Sequence, residues 1–266
     1  MTKPIAKQSP DFSRILPACR RWLGGCLLLA LLACSSPAVR LHRQAEQQGF
    51  QTLEIPARGF VLQAFQKLPA QLFQRLHVYL EGDGLPWERG RIPSDEPTTR
   101  ASVVLPLMAI DTAPSLYLAR PCYNGHATDA GCHPALWTQA RYGQIVVDAM
   151  TAALRDFCDR HHVRELVLIG HSGGGSLAML LAERLPQSRA IVTLAGNYDI
   201  DVWADHHGYW RLDDSSNPAL QIDRGLPEWH ILAREDRIVP PALFEQALRQ
   251  RKNSRVYLID GDHHRG

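Results

Sequence analysis

Several features are missing from this chain of 266 residues, and each absence excludes a class of protein. No apolar stretch reaches the roughly 18 residues that a membrane-spanning helix needs. No heptad and no longer repeat is visible, which argues against a coiled coil or a solenoid. No basic run with interleaved aromatic residues occurs, so the sequence gives no sign of nucleic-acid binding. With 45% hydrophobic and 21% charged residues, the chain also lacks the polar excess of a disordered protein.

The basic residues are concentrated at the N-terminus. The whole chain has a formal net charge of +2, but residues 1–33 hold five basic residues and one acidic residue. The remaining 24 basic and 26 acidic residues leave residues 34–266 with a net charge of −2. The length predicts one α/β domain with attachments, rather than two small domains.

Residues 1–33 are predicted to be a lipoprotein signal peptide. The apolar run from Leu23 to Ala33 has the length of a signal-peptide core, and a buried helix of the fold is the alternative. The run ends in Leu31-Leu32-Ala33-Cys34, which resembles the bacterial lipobox. That resemblance implies that Cys34 is acylated. A serine directly after this cysteine, as Ser35 is here, resembles lipoproteins that are sent to the outer membrane. We therefore expect a lipid-anchored protein of the bacterial cell envelope that faces the periplasm.

Three cysteines remain after residue 34. Cys122 and Cys132 flank a turn-rich stretch, and in an oxidising periplasm this pair predicts a disulfide. A metal site with His126 and His133 is the alternative, but the spacing matches no familiar zinc pattern. Cys158 lies in an amphipathic pattern and is predicted to be a buried free thiol.

Residues 34–49 are polar and suit a short tether, whereas residues 50–266 alternate between apolar runs and helical patterns. Six runs predict strands: 76–80, 115–119, 165–169, 190–194, 229–233 and 255–259. These runs lack strict alternation and are separated by helices, which favours a mostly parallel sheet covered by helices on both faces. In such α/β folds, ligands bind beyond the carboxyl ends of the strands.

The segment Gly170-His171-Ser172-Gly173-Gly174 matches the G-x-S-x-G nucleophile elbow. The motif alone is weak, but a predicted strand ends directly before it and a helix begins directly after it. The sharp turn needs small residues where helix and strand approach each other. A phosphate-binding turn is the alternative, but G-x-G-x-x-G and the P-loop lysine are both absent.

A serine hydroxyl needs a base and an orienting carboxylate to act as a nucleophile. Asp236 follows the predicted strand 229–233, and His263 with His264 follows 255–259. Asp199 and Asp201, after strand 190–194, are the runner-up acids.

The chain resembles the α/β-hydrolase superfamily, and more narrowly the uncharacterised bacterial lipoprotein α/β-hydrolases of esterase or lipase type. The segments that carry this resemblance are Asp236-Arg237-Ile238-Val239-Pro240, Gly261-Asp262-His263, Arg120-Pro121-Cys122, Trp137 and Arg141-Tyr142. It implies the α/β-hydrolase fold from about residue 50 to the end. By matching position, it implies Ser172 as the nucleophile, Asp236 as the acid and His263 as the base.

The oxyanion hole of such a site needs two backbone N–H donors. Gly173 is expected to supply one, and the resemblance implies Asp83 for the other. Glu81 stands where many relatives carry histidine. A carboxylate beside an oxyanion is costly, so we expect Glu81 to point away, towards Arg89 or Arg91.

Residues 197–226 form a long insertion that contains Trp203, Tyr209 and Trp210. Aromatic residues in such a loop suggest a cap over the site, although packing on the core is the alternative. The chain stops at Gly266, three residues after His263, whereas relatives usually continue into a final helix.

These features together predict a serine hydrolase that cleaves an ester or related acyl bond. The expected substrate is a small-molecule or lipid acyl compound, and neither a metal nor a cofactor is implied. Two other functions stay open, namely acyl transfer to an acceptor other than water and binding by a catalytically inactive envelope lipoprotein.

Overall fold

The computed structural model describes residues 36–265. The predicted signal peptide and Cys34 lie outside these residues. Within them, no helix is both long enough and apolar enough to cross a membrane. In chain order the elements are α1 (Pro37–Gln47), β1 (Gln51–Ala57), β2 (Phe60–Lys67), β3 (Arg75–Leu80), β4 (Trp87–Glu88), β5 (Ile92–Pro93), α2 (Val104–Ile110), β6 (Ser115–Leu118), α3 (Gln144–His161), β7 (Glu165–His171), α4 (Gly173–Arg184), β8 (Ser188–Leu194), α5 (Ile200–His207), β9 (Glu228–Ala233), α6 (Pro241–Gln250) and β10 (Ser254–Ile259).

A single sheet of eight strands organises the described residues, in the order β1-β2-β6-β3-β7-β8-β9-β10. The six strands from β6 to β10 in this order are all parallel, and they are the six that the sequence predicts. Helices pack against the sheet, with α4 on β7 and β8 and α6 on β9 and β10. The predicted α/β architecture is therefore confirmed.

A hairpin at one edge of the sheet was not predicted. Strands β1 and β2 pair antiparallel, and β2 pairs antiparallel with β6. Arg58 and Gly59 join the two strands, and both have positive φ angles, of 54° and 86°. Left-handed conformations at two successive residues are typical of the tight turns that suit the twist of a hairpin.

Helix α1 replaces most of the tether that was predicted for residues 34–49. Its apolar residues Ala38, Leu41 and Ala45 recur at helical spacing and are buried. They pack towards β1, and Leu41 and Ala45 belong to the main hydrophobic core. The polar residues of this segment, from which a tether was predicted, lie on the solvent-facing side of an amphipathic helix.

A second, smaller hydrophobic cluster supports the loop between β9 and α6. It consists of Leu232, Val239, Phe244 and Leu248. Because Val239 belongs to this loop and is 2% exposed, the loop is anchored at the carboxyl end of β9. That end is where an α/β fold places its functional residues.

Candidate functional site

A strained turn holds Ser172 between β7 and α4. Its backbone angles are φ 52° and ψ −122°, a conformation that residues with a side chain rarely adopt. A Cβ atom on Gly170 would lie 2.1 Å from the carbonyl oxygen of Gly174, and one on Gly174 would lie 2.1 Å from that of Leu80. The glycines therefore permit the close approach of helix and strand that the motif predicts. Ser172 itself remains partly exposed.

Asp236 and His263 form a buried pair near this turn. The Nδ1 atom of His263 lies 2.7 Å from Oδ2 of Asp236, and the residues are 7% and 4% exposed. The backbone N–H groups of Ile238 and Val239 donate to Oδ1 of Asp236, each at 2.8 Å. Since an ionised carboxylate only accepts hydrogen bonds, Nδ1 of His263 carries the proton and Nε2 is left to accept one.

His171 connects the histidine loop to the residue before the turn serine. Its Nε2 atom donates to the carbonyl oxygen of His263 at 2.8 Å, and the two rings lie 5.0 Å apart. In the described chain, the Ser172 hydroxyl makes no hydrogen bond to His263. Such bonds are often long without substrate and tighten when it binds. The structure thus joins Asp236 directly to His263 and brings Ser172 near them through its neighbour.

His264 has a different environment from His263. Its backbone N–H donates to Asp262, and its ring lies 5.8 Å from that of His171. Burial lowers the pKa of His264, and the proximity of the His263 and His171 rings lowers it further. Asp236 therefore pairs with the histidine that the family resemblance selects.

The runner-up acids serve a structural purpose. Oδ1 of Asp199 accepts the backbone N–H groups of Asp201 and Val202, which makes Asp199 the N-cap of α5. Asn217 donates to both Asp199 and Asp201. These carboxylates hold the segment 197–226 in shape.

The loop after β3 lies against the turn serine. A Cβ atom on Gly82 would lie 3.3 Å from Cβ of Ser172. The backbone N–H groups of Asp83 and Gly173 make no hydrogen bond within residues 36–265. Two unused donors therefore lie close to Ser172, as an oxyanion hole requires.

The carboxylate of Glu81 has different partners than expected, and one of them is the backbone N–H of Gly82, which donates to it at 3.3 Å. It accepts hydrogen bonds from the hydroxyl of Ser102 and the backbone N–H of Val103, rather than pairing with Arg89 or Arg91. One of its oxygens also lies 3.7 Å from Nδ1 of His171.

The side chain of Asp83 forms ion pairs that the sequence did not reveal. Arg120 and Arg141 contact its two carboxylate oxygens, and the hydroxyl of Tyr142 donates to both. Burial alone would raise the pKa of Asp83, but the charges of the two arginines outweigh it and hold the pKa far below its usual value. The sequence singled out these residues for their family resemblance, without indicating that they meet.

Cys122 and Cys132 form the predicted disulfide. Their sulfur atoms are therefore not available as metal ligands. No group of three or more His, Cys, Asp or Glu side chains within residues 36–265 could hold a metal ion. Cys158 is a buried free thiol, and burial together with the charge of Asp159 raises its pKa to about 12.

The insertion 197–226 braces the loop that carries Asp236. Trp203 and His207, both on α5, donate to the carbonyl oxygen of Ile238 at 2.7 and 2.9 Å. Trp210, by contrast, is 94% exposed. Trp203 therefore supports the loop that carries Asp236, whereas Trp210 is exposed to solvent.

The comparisons with known proteins identify the fold. No protein-family model and no curated protein matches the sequence, but many solved structures resemble it. Est1E from Butyrivibrio proteoclasticus has a TM-score of 0.57 at 17% identity, over 80% of this chain and 90% of its own. XC6422 from Xanthomonas campestris, described as an α/β serine hydrolase without a lid, has a TM-score of 0.51 at 15% identity, over 81% and 86%.

A third similar structure is the Pyrococcus horikoshii acylaminoacyl peptidase, with a TM-score of 0.55 at 15% identity. The likeness covers 80% of this chain but only 37% of the peptidase. The chain has the fold of the α/β-hydrolase superfamily. Of these three structural neighbours, one is described as an α/β serine hydrolase and another as a peptidase.

Proposed function

We propose that this protein is a serine hydrolase that cleaves an ester or related acyl bond through an acyl-enzyme. The observation that carries the proposal is the buried Asp236–His263 pair beside a serine held in a strained elbow. A structural serine needs neither the strained backbone nor a histidine oriented by a carboxylate. XC6422, the structural neighbour that is described as a serine hydrolase, supports the same chemistry.

The geometry supports the following reaction. The Ser172 Oγ attacks the substrate carbonyl carbon while Nε2 of His263 takes the hydroxyl proton. Asp236 keeps the proton of His263 on Nδ1 and stabilises the imidazolium that forms. The N–H groups of Gly173 and Asp83 donate to the developing oxyanion.

Collapse of the tetrahedral intermediate breaks the bond to the leaving group, which receives the proton from His263. This leaves an acyl group on Ser172. Water then attacks the acyl carbon, with His263 again as the base, and the acid product leaves as Ser172 regains its proton.

Ester hydrolysis by purified protein tests this function. With p-nitrophenyl esters of several acyl lengths, we expect turnover by the wild type and a loss of about 10⁴-fold or more in Ser172→Ala. The matched control is Ser176→Ala, because Ser176 lies in the first turn of the helix that follows Ser172 and its buried hydroxyl donates instead to the carbonyl of Asn197.

Retention of activity in Ser176→Ala together with its loss in Ser172→Ala supports the assignment. Equal activity in Ser172→Ala and the wild type would contradict it. Added alcohol acceptors distinguish hydrolysis from acyl transfer, since a transferase forms the new ester in preference to the free acid.

A further inference from the structure

The carboxylate of Asp83 lies directly over the start of α4. A Cβ atom on Gly173 would come within 1.9 Å of Oδ1 of Asp83 and 2.4 Å of the hydroxyl oxygen of Tyr142. Gly173 is thus the residue that leaves room for both groups. The side chain of one proposed oxyanion donor therefore packs against the backbone of the other.

Four side chains hold Asp83 in this position, and we call them the Asp83 clamp: Arg120, Tyr123, Arg141 and Tyr142. The Nη1 atoms of Arg120 and Arg141 lie 2.7 and 2.9 Å from its carboxylate oxygens. The hydroxyl of Tyr142 lies 2.7 Å from both oxygens. The hydroxyl of Tyr123 donates to the carbonyl oxygen of Asp83 at 3.1 Å.

Arg120 of the Asp83 clamp also contacts Glu81, which lies two positions before Asp83 in the same loop. Nη2 of Arg120 donates to the carbonyl oxygen of Glu81 at 3.3 Å. The hydrogen bonds to the carbonyl oxygens of Glu81 and Asp83 thus lie on either side of Gly82, where an added Cβ atom would lie 3.3 Å from Cβ of Ser172. The conformation of the loop at residues 81–83 therefore depends on side chains from two other segments, which lie at residues 120–123 and 141–142.

Those segments are themselves fixed. Arg120 follows β6 and lies two residues before the disulfide at Cys122. Nε of Arg141 donates to the carbonyl of Thr138 at 2.6 Å, and the backbone N–H of Tyr142 donates to Ser215 at 3.1 Å. The two arginine side chains are only 4% and 6% exposed, so the clamp has little freedom to move.

We infer that the Asp83 clamp positions the oxyanion hole, with Arg120, Arg141 and Tyr142 acting through the carboxylate of Asp83. The inference rests on the proposed hydrolase function. A lone carboxylate beside a developing oxyanion would oppose the reaction, whereas two guanidinium groups on one carboxylate leave a net positive charge there. Donors that are fixed before the reaction stabilise the transition state without reorganisation.

Removal of the Tyr142 hydroxyl is the sharpest test, because Tyr142→Phe deletes only the hydrogen bonds to Asp83. The matched control is Tyr79→Phe, since the Tyr79 hydroxyl donates to another carboxylate, that of Asp111, at 2.7 Å. We expect kcat for an ester to fall about 10-fold to 100-fold in Tyr142→Phe, less than the loss of a whole oxyanion donor. KM should change less than about twofold, and Tyr79→Phe should keep the wild-type kcat.

A boronic acid that forms a tetrahedral adduct on serine separates positioning from general stability. Its affinity for Tyr142→Phe should weaken by the same factor as kcat/KM. A purely structural role would instead lower the melting temperature of both tyrosine variants and leave the affinity of the folded protein unchanged. Arg141→Lys should retain more kcat than Arg141→Met, because it keeps the charge next to Asp83.

Wild-type kcat and boronate affinity in both Tyr142→Phe and Arg141→Met would overturn the inference while the hydrolase function stands. A wild-type protein that neither hydrolyses esters nor binds the boronate would overturn the proposed function, and the clamp's role with it.

Discussion

Two adjacent histidines at the end of the chain differ in their hydrogen-bond partners. The ring of His263 donates to a buried carboxylate, whereas His264 is exposed and is fixed through its backbone. Only a ring whose Nδ1 proton is held by an acid presents Nε2 as a base. The different partners of the two rings predict that His263, and not His264, takes part in the reaction.

We predict that His263→Ala loses nearly all esterase activity and that His264→Ala retains most of it. The loss in His263→Ala should approach that of Ser172→Ala, because the members of a triad act as a unit. Steady-state kinetics of both variants on one ester checks this. The reverse pattern would identify His264 as the base, and mild losses in both would argue against a triad at this site.

The sequence indicated the residues of the site but not all of their contacts. Ser172, Asp236 and His263 each follow a strand in a recognisable motif, so their proximity followed from the fold. The partner of Glu81 did not, because Ser102 lies 21 positions away in a segment without a motif. The ion pairs of Asp83 were not predicted either, because Arg120 and Arg141 lie 37 and 58 positions away and their segments do not indicate which residue they contact.

At the scale of elements, the sequence predicted all six parallel strands but neither α1 nor the β1–β2 hairpin. Parallel strands that are buried on both faces are continuous apolar runs, which are easy to recognise. The edge strand β1 instead alternates, with Ile55 and Ala57 buried and its other residues at least partly exposed, and Pro56 interrupts the pattern. The Arg58-Gly59 pair was the signal in the sequence for the hairpin. The helical spacing of Ala38, Leu41 and Ala45 was the signal for α1.

A buried ion pair joins the start of β9 to the residue after α6. Arg251 binds both carboxylate oxygens of Glu228, at 2.7 and 2.8 Å, and His230 lies 3.1 Å from one of them. Burial alone would raise the pKa of Glu228, but its hydrogen bonds with Arg251 and His230 outweigh that effect and lower it. A carboxylate with a lowered pKa in the folded state stabilises the fold above its unfolded pKa of about 4.3.

We predict that Glu228→Gln lowers the free energy of unfolding by about 3 kcal/mol at neutral pH, because the side chain of Arg251, which is only 10% exposed, then keeps just a longer contact of 3.8 Å with one carboxylate, that of Asp223. The difference from the wild type should shrink as the pH falls below the unfolded pKa of about 4.3, because Glu228 then takes up its proton in the unfolded state before it does so in the folded state. Urea unfolding at several pH values measures both effects.

The control for this prediction is Glu165→Gln, which breaks the more exposed pair between Glu165 and Arg75. Surface pairs contribute at most about 1 kcal/mol. A loss in Glu228→Gln no larger than in this control, or one that does not change with pH, would contradict the account of the buried pair.

At the scale of the whole molecule, the disulfide and the proposed lipid anchor concern the compartment in which the protein works. The disulfide joins Cys122 to Cys132 in the segment that carries Arg120, and such bonds persist in oxidising compartments such as the periplasm. The proposed lipidation site, Cys34, lies three positions before α1. The disulfide supports the proposal that the protein is exported.

We predict that Cys34 carries the lipid, because the apolar run before it ends in Leu31-Leu32-Ala33. In bacteria that produce the full chain, the wild type should incorporate labelled palmitate and fractionate with the outer membrane. Cys34→Ser should do neither, while Cys158→Ser, which alters the buried free thiol, should behave as the wild type. Equal palmitate incorporation in Cys34→Ser and the wild type would refute the lipobox assignment.

The central claim is that Ser172 is an activated nucleophile. A fluorophosphonate probe reacts with serines that a base activates, so it tests this claim without knowledge of the substrate. After incubation of the folded protein with the probe, peptide mass spectrometry locates the adduct. We expect one adduct, on Ser172, which is absent from Ser172→Ala and strongly reduced in His263→Ala. No adduct on the wild type, or an adduct of equal yield in Ser172→Ala, would contradict it.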